Sequence, residues 1–273
     1  MIKVDLWGRM GNQMFQYAFA IATARKLQTK FIIAPTQKFE LTKYFVLDPL
    51  TNFLYSSFFC KLYARVAHRM CAYETIFQIK EKEVMLKDQV RYRGFFQSEN
   101  FFQTSVDEVK KRLVIKKRLR AQFQEKYGKL FSDNKTIVMH FRRTDYISHG
   151  DESYGGQDMS LPMKYYDNCL QLINDVCDYQ IICISDDIVF VKEYYKYKSN
   201  YLFLENDAII DFQLILNADI AIIANSSFSW WAAYLNEKVN KVIYAPKFWL
   251  GFKIKDEIPA DVIPNDFQAV NVN

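Results

Sequence analysis

Apolar and polar positions along this chain fall into two kinds of segment. Short apolar runs rich in β-branched residues read as strands: IKVDLW (2–7), KFIIA (30–34), KTIVMHF (135–141), YQIICIS (179–185), YLFLE (201–205), DIAIIA (219–224) and KVIYAP (241–246). Between them lie segments with helical character: MFQYAFAIATARKL (14–27), MKYYDNCLQLIND (163–175), DDIVFVKEYYKY (186–197), AIIDFQLILNA (208–218) and SSFSWWAAYLNE (226–237). Strands alternating with helices predict parallel sheets covered on both faces. The section from Thr136 onward is one such sheet, and residues 1–35 begin another. Residues 38–105 mix aromatics with helical signals and are expected to be helix-rich. VDEVKKRLVIKKRLRAQFQEKYG (106–128) is expected to form a long basic helical region closed by Gly128. The polar SDNK (132–135) marks a division, giving an α/β chain of two domains, 1–134 and 135–273.

That division makes the strand tips the places to look for chemistry. In an open α/β sheet, ligands bind outside the carboxyl ends of the strands. The tips carry GRMGNQ (8–13), RRTDY (142–146), SDD (185–187) and NSSFS (225–229), all polar. An extended strand alternates its faces, so His140 and Arg142 point one way and Phe141 and Arg143 the other. The adjacent arginines therefore have different work. Arg142 can offer a fork of donors that matches phosphate. Ser226 and Ser227 stand at a helix start, where free N–H groups and partial positive charge suit an anion. Together these predict an anionic, phosphorylated ligand held between strand tips. No GxxxxGK[ST] pattern exists, which argues against a P-loop kinase or ATPase, and the full GxGxxG fingerprint is also missing.

Composition changes this picture little. At 273 residues with 18 Tyr and 23 Phe, the chain can bury a large core, and intrinsic disorder is not expected. A net charge of +5 suits an anionic small ligand or a membrane surface without requiring either. Five cysteines without a CxxC pair read as reduced, mostly buried thiols of a cytoplasmic protein. The start of the chain shows no stretch of signal-peptide length, and PLTNFLYSSFFC (49–60) is too short to span a bilayer.

Each tip also has a plainer explanation. GRMGNQ serves equally as a tight turn with Asn12 as the helix N-cap. Asp186 and Asp187 serve as an N-cap pair. His140 alone reads as a structural residue at a strand end. Trp230 and Trp231 belong in a core. The run KKRLVIKKRLR (110–120) is a solvated face, with peripheral membrane contact as the alternative. The functional explanation gains from the agreement of four tips.

Read in order, the tips resemble a known set. HFRRTDY (140–146) resembles the HxRRxD motif of the α1,2-, α1,6- and O-fucosyltransferases, and SDDIVFVKE is similar to their second motif. NSSFSWWAAYL resembles the third motif, in the form found in glycosyltransferase family 11, the α1,2-fucosyltransferases. GRMGNQMFQYAFA is similar to that family's N-terminal signature. The set spans residues 8–235 in family order. Two positions depart from it. The stretch Trp7-Gly8-Arg9 stands where family 11 more often has a glycine pair, and Thr144 stands where it usually has glycine.

The resemblance implies a GT-B-like fold of two Rossmann-like domains with parallel sheets and a cleft between them. It implies an inverting transfer of L-fucose from GDP-β-L-fucose to the 2-hydroxyl of a terminal galactoside. The N-terminal domain would serve the acceptor and the C-terminal domain the donor. No metal or other cofactor is expected, and no nucleic-acid partner. The acceptor would be a galactose-containing oligosaccharide or a lipid-linked glycan. Arg142 and Asn12 are the expected catalytic residues. Donor binding falls to Gly11, His140, Arg143, Asp145, Asp186, Asp187, Ser226, Ser227 and Phe228. Within that set Arg143 is expected to brace the loop through Asp145, and Asp186 or Asp187 to read guanine. Asp151, Glu152 and Asp158 are candidates for a general base. A transferase with another acceptor or sugar nucleotide, and a non-catalytic carbohydrate- or nucleotide-binding protein, are the rival readings.

Overall fold

A computed structural model describes residues 1–35, 38–47, 51, 62, 74–77 and 84–272. The segment 49–60, Cys60 and Cys71 lie almost wholly outside these, apart from Thr51. The chain divides into two compact units, Met1–Lys117 and Arg118–Asn273.

The first unit is built on a parallel sheet of strands β1 (Ile2–Leu6), β2 (Phe31–Pro35), β4 (Glu74–Phe77) and β5 (Val90–Arg93), in the order β2-β1-β5-β4. The Met10–Lys26 helix packs on it and is buried along most of its length. Aromatic rings cover it from the other side: Phe19 stacks on Phe96 at 3.8 Å and meets Phe101 edge-on at 6.1 Å. Much of 38–105, expected to be helix-rich, lies outside the described residues. Among the described residues this stretch contributes β4, β5, a two-residue strand β3 (Phe45–Val46), the helix Leu41–Tyr44, the helical residues Thr51 and Leu62, and two single turns. Of its described aromatics, Phe96 and Phe101 pack on Phe19 of the first helix.

The region 106–128 also differs from expectation. It holds two helices, Val106–Arg112 and Lys117–Asp133, separated by strand β6 (Val114–Ile115), which pairs antiparallel with β3. Gly128 is buried in the interior of the second helix and does not end it. The basic run thus has no single continuous helical face. The boundary moves with it. Leu119, Phe123 and Tyr127 are buried, Tyr127 donates to Asn206 at 2.8 Å, and Gln213 donates to the Leu119 carbonyl at 3.2 Å. The helix expected to close the first domain therefore belongs to the second.

The second unit has six parallel strands in the order β12-β11-β10-β7-β8-β9. They are β7 (Lys135–Phe141), β8 (Tyr179–Ser185), β9 (Tyr201–Leu204), β10 (Ile220–Ile222), β11 (Val242–Pro246) and β12 (Gln268–Val270). The last was not foreseen, since QAV is too short and polar to signal a strand. Tyr165, Tyr166 and Val191, from the helices Met163–Gln171 and Ile188–Tyr194, join Ile137, Met139, Phe141 and Cys183 in one core. The helices Ala208–Leu216 and Ser227–Tyr234 cover the other face, where Phe228 meets Phe212 at 5.6 Å and His140 at 5.4 Å. Of the described cysteines, Cys169 and Cys183 are buried and Cys177 is exposed, all as free thiols. Among the described residues no helix is long and apolar enough to cross a membrane.

Chain order runs β7, β8, β9 towards one edge and then β10, β11, β12 towards the other. The direction reverses between β7 and β10. In sheets of this kind that reversal opens a crevice at the carboxyl ends, because the two following connections leave on opposite faces. RRTD follows β7 and ANSS follows β10, so both flank this crevice.

Candidate active site

The arginine tip is held by carboxylates. Asp186, just beyond β8, accepts the Arg143 backbone N–H at 2.9 Å and the Thr144 hydroxyl at 2.6 Å. The Arg142 guanidinium lies 3.1 Å from the same carboxylate and 2.7 Å from that of Asp145. Burial pushes the Asp186 carboxyl up, but the bonds from Thr144 and the Arg143 N–H, with the Arg142 charge, outweigh it and hold it below the usual range. Arg143 turns the other way. Its guanidinium carbon sits 3.4 Å from the centre of the Phe190 ring, and its Nε donates to Asp187 at 3.3 Å. Asp187 also accepts the Phe190 N–H at 3.3 Å and so caps the Ile188–Tyr194 helix.

The alternation read from the strand is therefore present, with different partners. Asp145 pairs with Arg142, and Arg143 braces through Asp187 and Phe190, so the expected Arg143–Asp145 pairing is corrected. Asp186 and Asp187 each already accept one hydrogen bond from the chain at each carboxylate oxygen.

Across the crevice, Ser226 occupies the N-cap position of the Ser227–Tyr234 helix with an extended backbone and no side-chain cap bond. The N–H groups of the first turn, including that of Phe228, have no acceptor within the helix. Trp230 and Trp231 are fully buried, as core residues should be. His140 lies between this helix and the arginine tip. Burial above all, with the nearby Arg142 charge, pulls its imidazole down to about 3, so it is neutral at physiological pH. His140 Nδ1 and Asn225 Oδ1 are buried without a hydrogen-bond partner among the described residues. Two such orphans beside one crevice mark a place built to be completed by a polar ligand.

The loop after the arginines is closed on itself. Tyr146 donates to the Asn225 carbonyl at 3.0 Å, Asn225 Nδ2 to the Met159 carbonyl at 3.0 Å, and the Met159 N–H to the Tyr146 carbonyl at 2.8 Å. Asp151 and Asp158 each accept from a serine two residues on and so build turns. Glu152 lies exposed in a single turn of helix beside Asp151.

In the first unit the GRMGNQ signature enters the helix at Met10, earlier than expected. The Met10 N–H is capped by Glu40 at 2.9 Å, so Asn12 is not the N-cap. Gly11 and Asn12 sit in the first turn, where Asn12 Oδ1 accepts from Gln97 at 2.8 Å. Gly8 has a φ of +77°, and a Cβ there would lie 2.5 Å from Asn12, so the turn needs glycine. Gln13 ties Gly8, Lys38 and Glu40 together through 3.1, 2.8 and 2.9 Å bonds. Gln16 joins Trp7 to Gly94 through 3.1 and 2.9 Å bonds.

The whole-chain comparison agrees with this layout: the sequence matches glycosyl transferase family 11 over residues 1–250. The chain belongs to that family. It is 27% identical to the O-antigen biosynthesis glycosyltransferase WbnK of Escherichia coli, covering 94% of this chain and 97% of WbnK. It is also 27% identical to an Escherichia coli alpha-1,2-colitosyltransferase, over 91% and 92% of the two chains. In fold it is similar to the crystal structure of POFUT1 with GDP, at a TM-score of 0.53 and 14% identity over 89% of this chain and 97% of that one. The fold of this family-11 glycosyltransferase is thus the GT-B-like one of known fucosyltransferases.

One group in the second unit of this glycosyltransferase escaped the sequence reading. Asp211, in the first turn of the Ala208–Leu216 helix, is pushed up to about 7 by burial, against a 3.0 Å bond from Asn206 and the charge of Lys126. The signal available was a lone carboxylate at the start of an otherwise apolar helix, AIIDFQLIL. Among the described residues, no three His, Cys, Asp or Glu side chains cluster as a metal site would.

Proposed function

We propose that this glycosyltransferase moves L-fucose from GDP-β-L-fucose to the 2-hydroxyl of a terminal galactoside, with inversion at the fucose anomeric carbon. The supporting observation is the pairing, at the sheet's reversal point, of a braced arginine tip with a helix N-terminus. The acceptor hydroxyl oxygen bonds to the anomeric carbon as the bond to the β-phosphate oxygen breaks; GDP departs with the electron pair, and the hydroxyl proton is released to water. Arg142 meets the charge that develops on the β-phosphate. The Ser226 and Ser227 hydroxyls and the Phe228 N–H hold the phosphates, and protein donors serve in place of a metal ion. The acceptor is a galactose-containing oligosaccharide or lipid-linked glycan.

Guanine recognition needs a carboxylate that can accept two N–H donors. With Asp186 and Asp187 engaged by the arginine tip, Asp211 is the group we assign to it. An acid held near 7 must lose its proton to accept those donors. GDP affinity should therefore fall as pH drops below about 7, approaching tenfold per unit. Titration by calorimetry between pH 5.5 and 8 tests this. A flat profile, or an Asp211→Asn variant that binds GDP as the parent does, would return guanine to another group.

The test of the function is turnover of GDP-fucose with lactose and a panel of β-galactosides, with the linkage read by NMR. An α1,2 product formed at an unchanged rate in EDTA is expected. A tenfold loss restored by Mn²⁺ would overturn the metal-free reading. Because WbnK and the colitosyltransferase are equally similar, a donor carrying colitose is the second reading, and it belongs in the same panel.

A further inference from the structure

At the carboxyl ends of β1, β5 and β4, the first unit carries a line of aromatic rings that no part of its core explains. Trp7 follows β1, Arg93 ends β5 and Phe77 ends β4. Phe95 lies two residues beyond Arg93. The Trp7 and Phe95 rings are stacked, with centroids 5.4 Å apart and planes 13° apart. The Arg93 guanidinium carbon is 5.5 Å from the Trp7 ring and 5.5 Å from the Phe77 ring. Phe95 is 41% exposed and Phe77 54% exposed. Large rings left open to water at strand tips are uncommon without a ligand or partner to cover them.

The line is held in place from beneath. Arg93 Nε lies 3.0 Å from Asp5, and Arg91 grips the same carboxylate through two bonds of 2.8 and 2.7 Å. The Asp5 side chain is 1% exposed, so this pairing fixes the end of β5 rigidly. Trp7 is fixed in turn: Gln16 Oε1 accepts its backbone N–H, and Nε1 of its ring donates to the Gly94 carbonyl at 3.4 Å. Two residues beyond Phe95, Gln97 donates to Asn12 at 2.8 Å, and the Asn12 amide lies against Gly8, the residue after Trp7. An exposed ring flanked by amides matches a pyranose, which has one C–H face to stack and a rim of hydroxyls to bond. An apolar protein partner would not need the amides, and a phosphate would not need the ring.

We propose that Phe95, braced by Trp7 and rimmed by Gln97 and Asn12, is the stacking platform for a sugar ring of the acceptor glycan. The assignment deepens the proposed transfer reaction and rests on it for the word acceptor.

The test is saturation-transfer NMR on the full chain with methyl β-D-galactopyranoside, lactose and the methyl glycosides of glucose, N-acetylglucosamine and fucose. Parent, Phe95→Ala, Phe95→Tyr and Trp7→Gly are compared, and each variant's GDP affinity is measured. At least one glycoside should receive saturation on its C–H face in the parent. Phe95→Ala should weaken that binding about tenfold, Trp7→Gly less, and Phe95→Tyr should restore it, all with GDP affinity unchanged. If no glycoside distinguishes Phe95→Ala from the parent, or if GDP affinity falls equally, the platform is not an acceptor subsite. Absence of turnover with GDP-fucose would overturn the donor assignment instead, and would leave this binding result standing.

Discussion

Arg142→Lys is expected to fold as the parent does and to lose on the order of 10²–10³ in kcat. The Arg142 guanidinium forks between Asp145 at 2.7 Å and Asp186 at 3.1 Å. That two-sided grip holds a flat, delocalised cation at the mouth of the crevice. Lysine brings the charge but only a point of contact, and it cannot span two carboxylates while facing a phosphate. The loss should appear in kcat more than in donor affinity, because the charge Arg142 meets grows as the bond to GDP breaks. Arg143→Lys gives the contrast. It removes the contact with the Phe190 ring at 3.4 Å and weakens the bond to Asp187. Both are structural, so the melting temperature should fall by a few degrees, as expected for about 1 kcal/mol in a chain of this size, with less than a tenfold effect on rate. Equal activity losses with unchanged melting would mean that both arginines touch the donor.

Asp186→Asn is expected to cost about 1–3 kcal/mol of stability and at least tenfold in kcat, while leaving GDP affinity within a few-fold of the parent. The wild-type carboxylate accepts two hydrogen bonds and faces the Arg142 charge. An amide has one accepting oxygen, so either the Arg143 N–H or the Thr144 hydroxyl loses its partner, and Arg142 loses a counter-charge. The parent's own pH response runs the same way. A carboxyl held below its usual range adds stability that is present above about pH 4 and is lost as pH falls through its folded value. Melting curves measured from pH 7 downward should therefore show a constant gap between parent and variant above about pH 4 that narrows only as pH falls further. A variant of normal rate and stability that fails to bind GDP would instead make Asp186 the reader of guanine.

The sequence located the strands and helices of the second unit closely because each carries its own signal. YQIICIS is apolar along its whole length, and the strand found is Tyr179–Ser185. It also located the four polar tips, since an α/β sheet confines ligands to one end of its strands. What each tip side chain does was not legible. A lone Asp-Asp pair reads the same whether it faces a base or an arginine. Only the parallel register that sets β8 beside β7 brings Asp186 under the Arg143 N–H. The division at residue 117 was likewise set by packing. The Lys117–Asp133 helix has a mixed polar pattern that fits either side, and its burial of Leu119, Phe123 and Tyr127 decides the matter.

By itself, then, the amino-acid order determined the class of fold, the family and the segments where chemistry would gather, because hydrophobic periodicity and short ordered motifs are local properties. The tertiary structure alone decided the pairing of Arg142 with Asp145 and Asp186, the raised proton affinity of Asp211 and the stack of Trp7 on Phe95. Two of these join side chains from separate strands, and the third is a burial effect. Both depend on distance through space and on loss of water, which no spacing along the chain records.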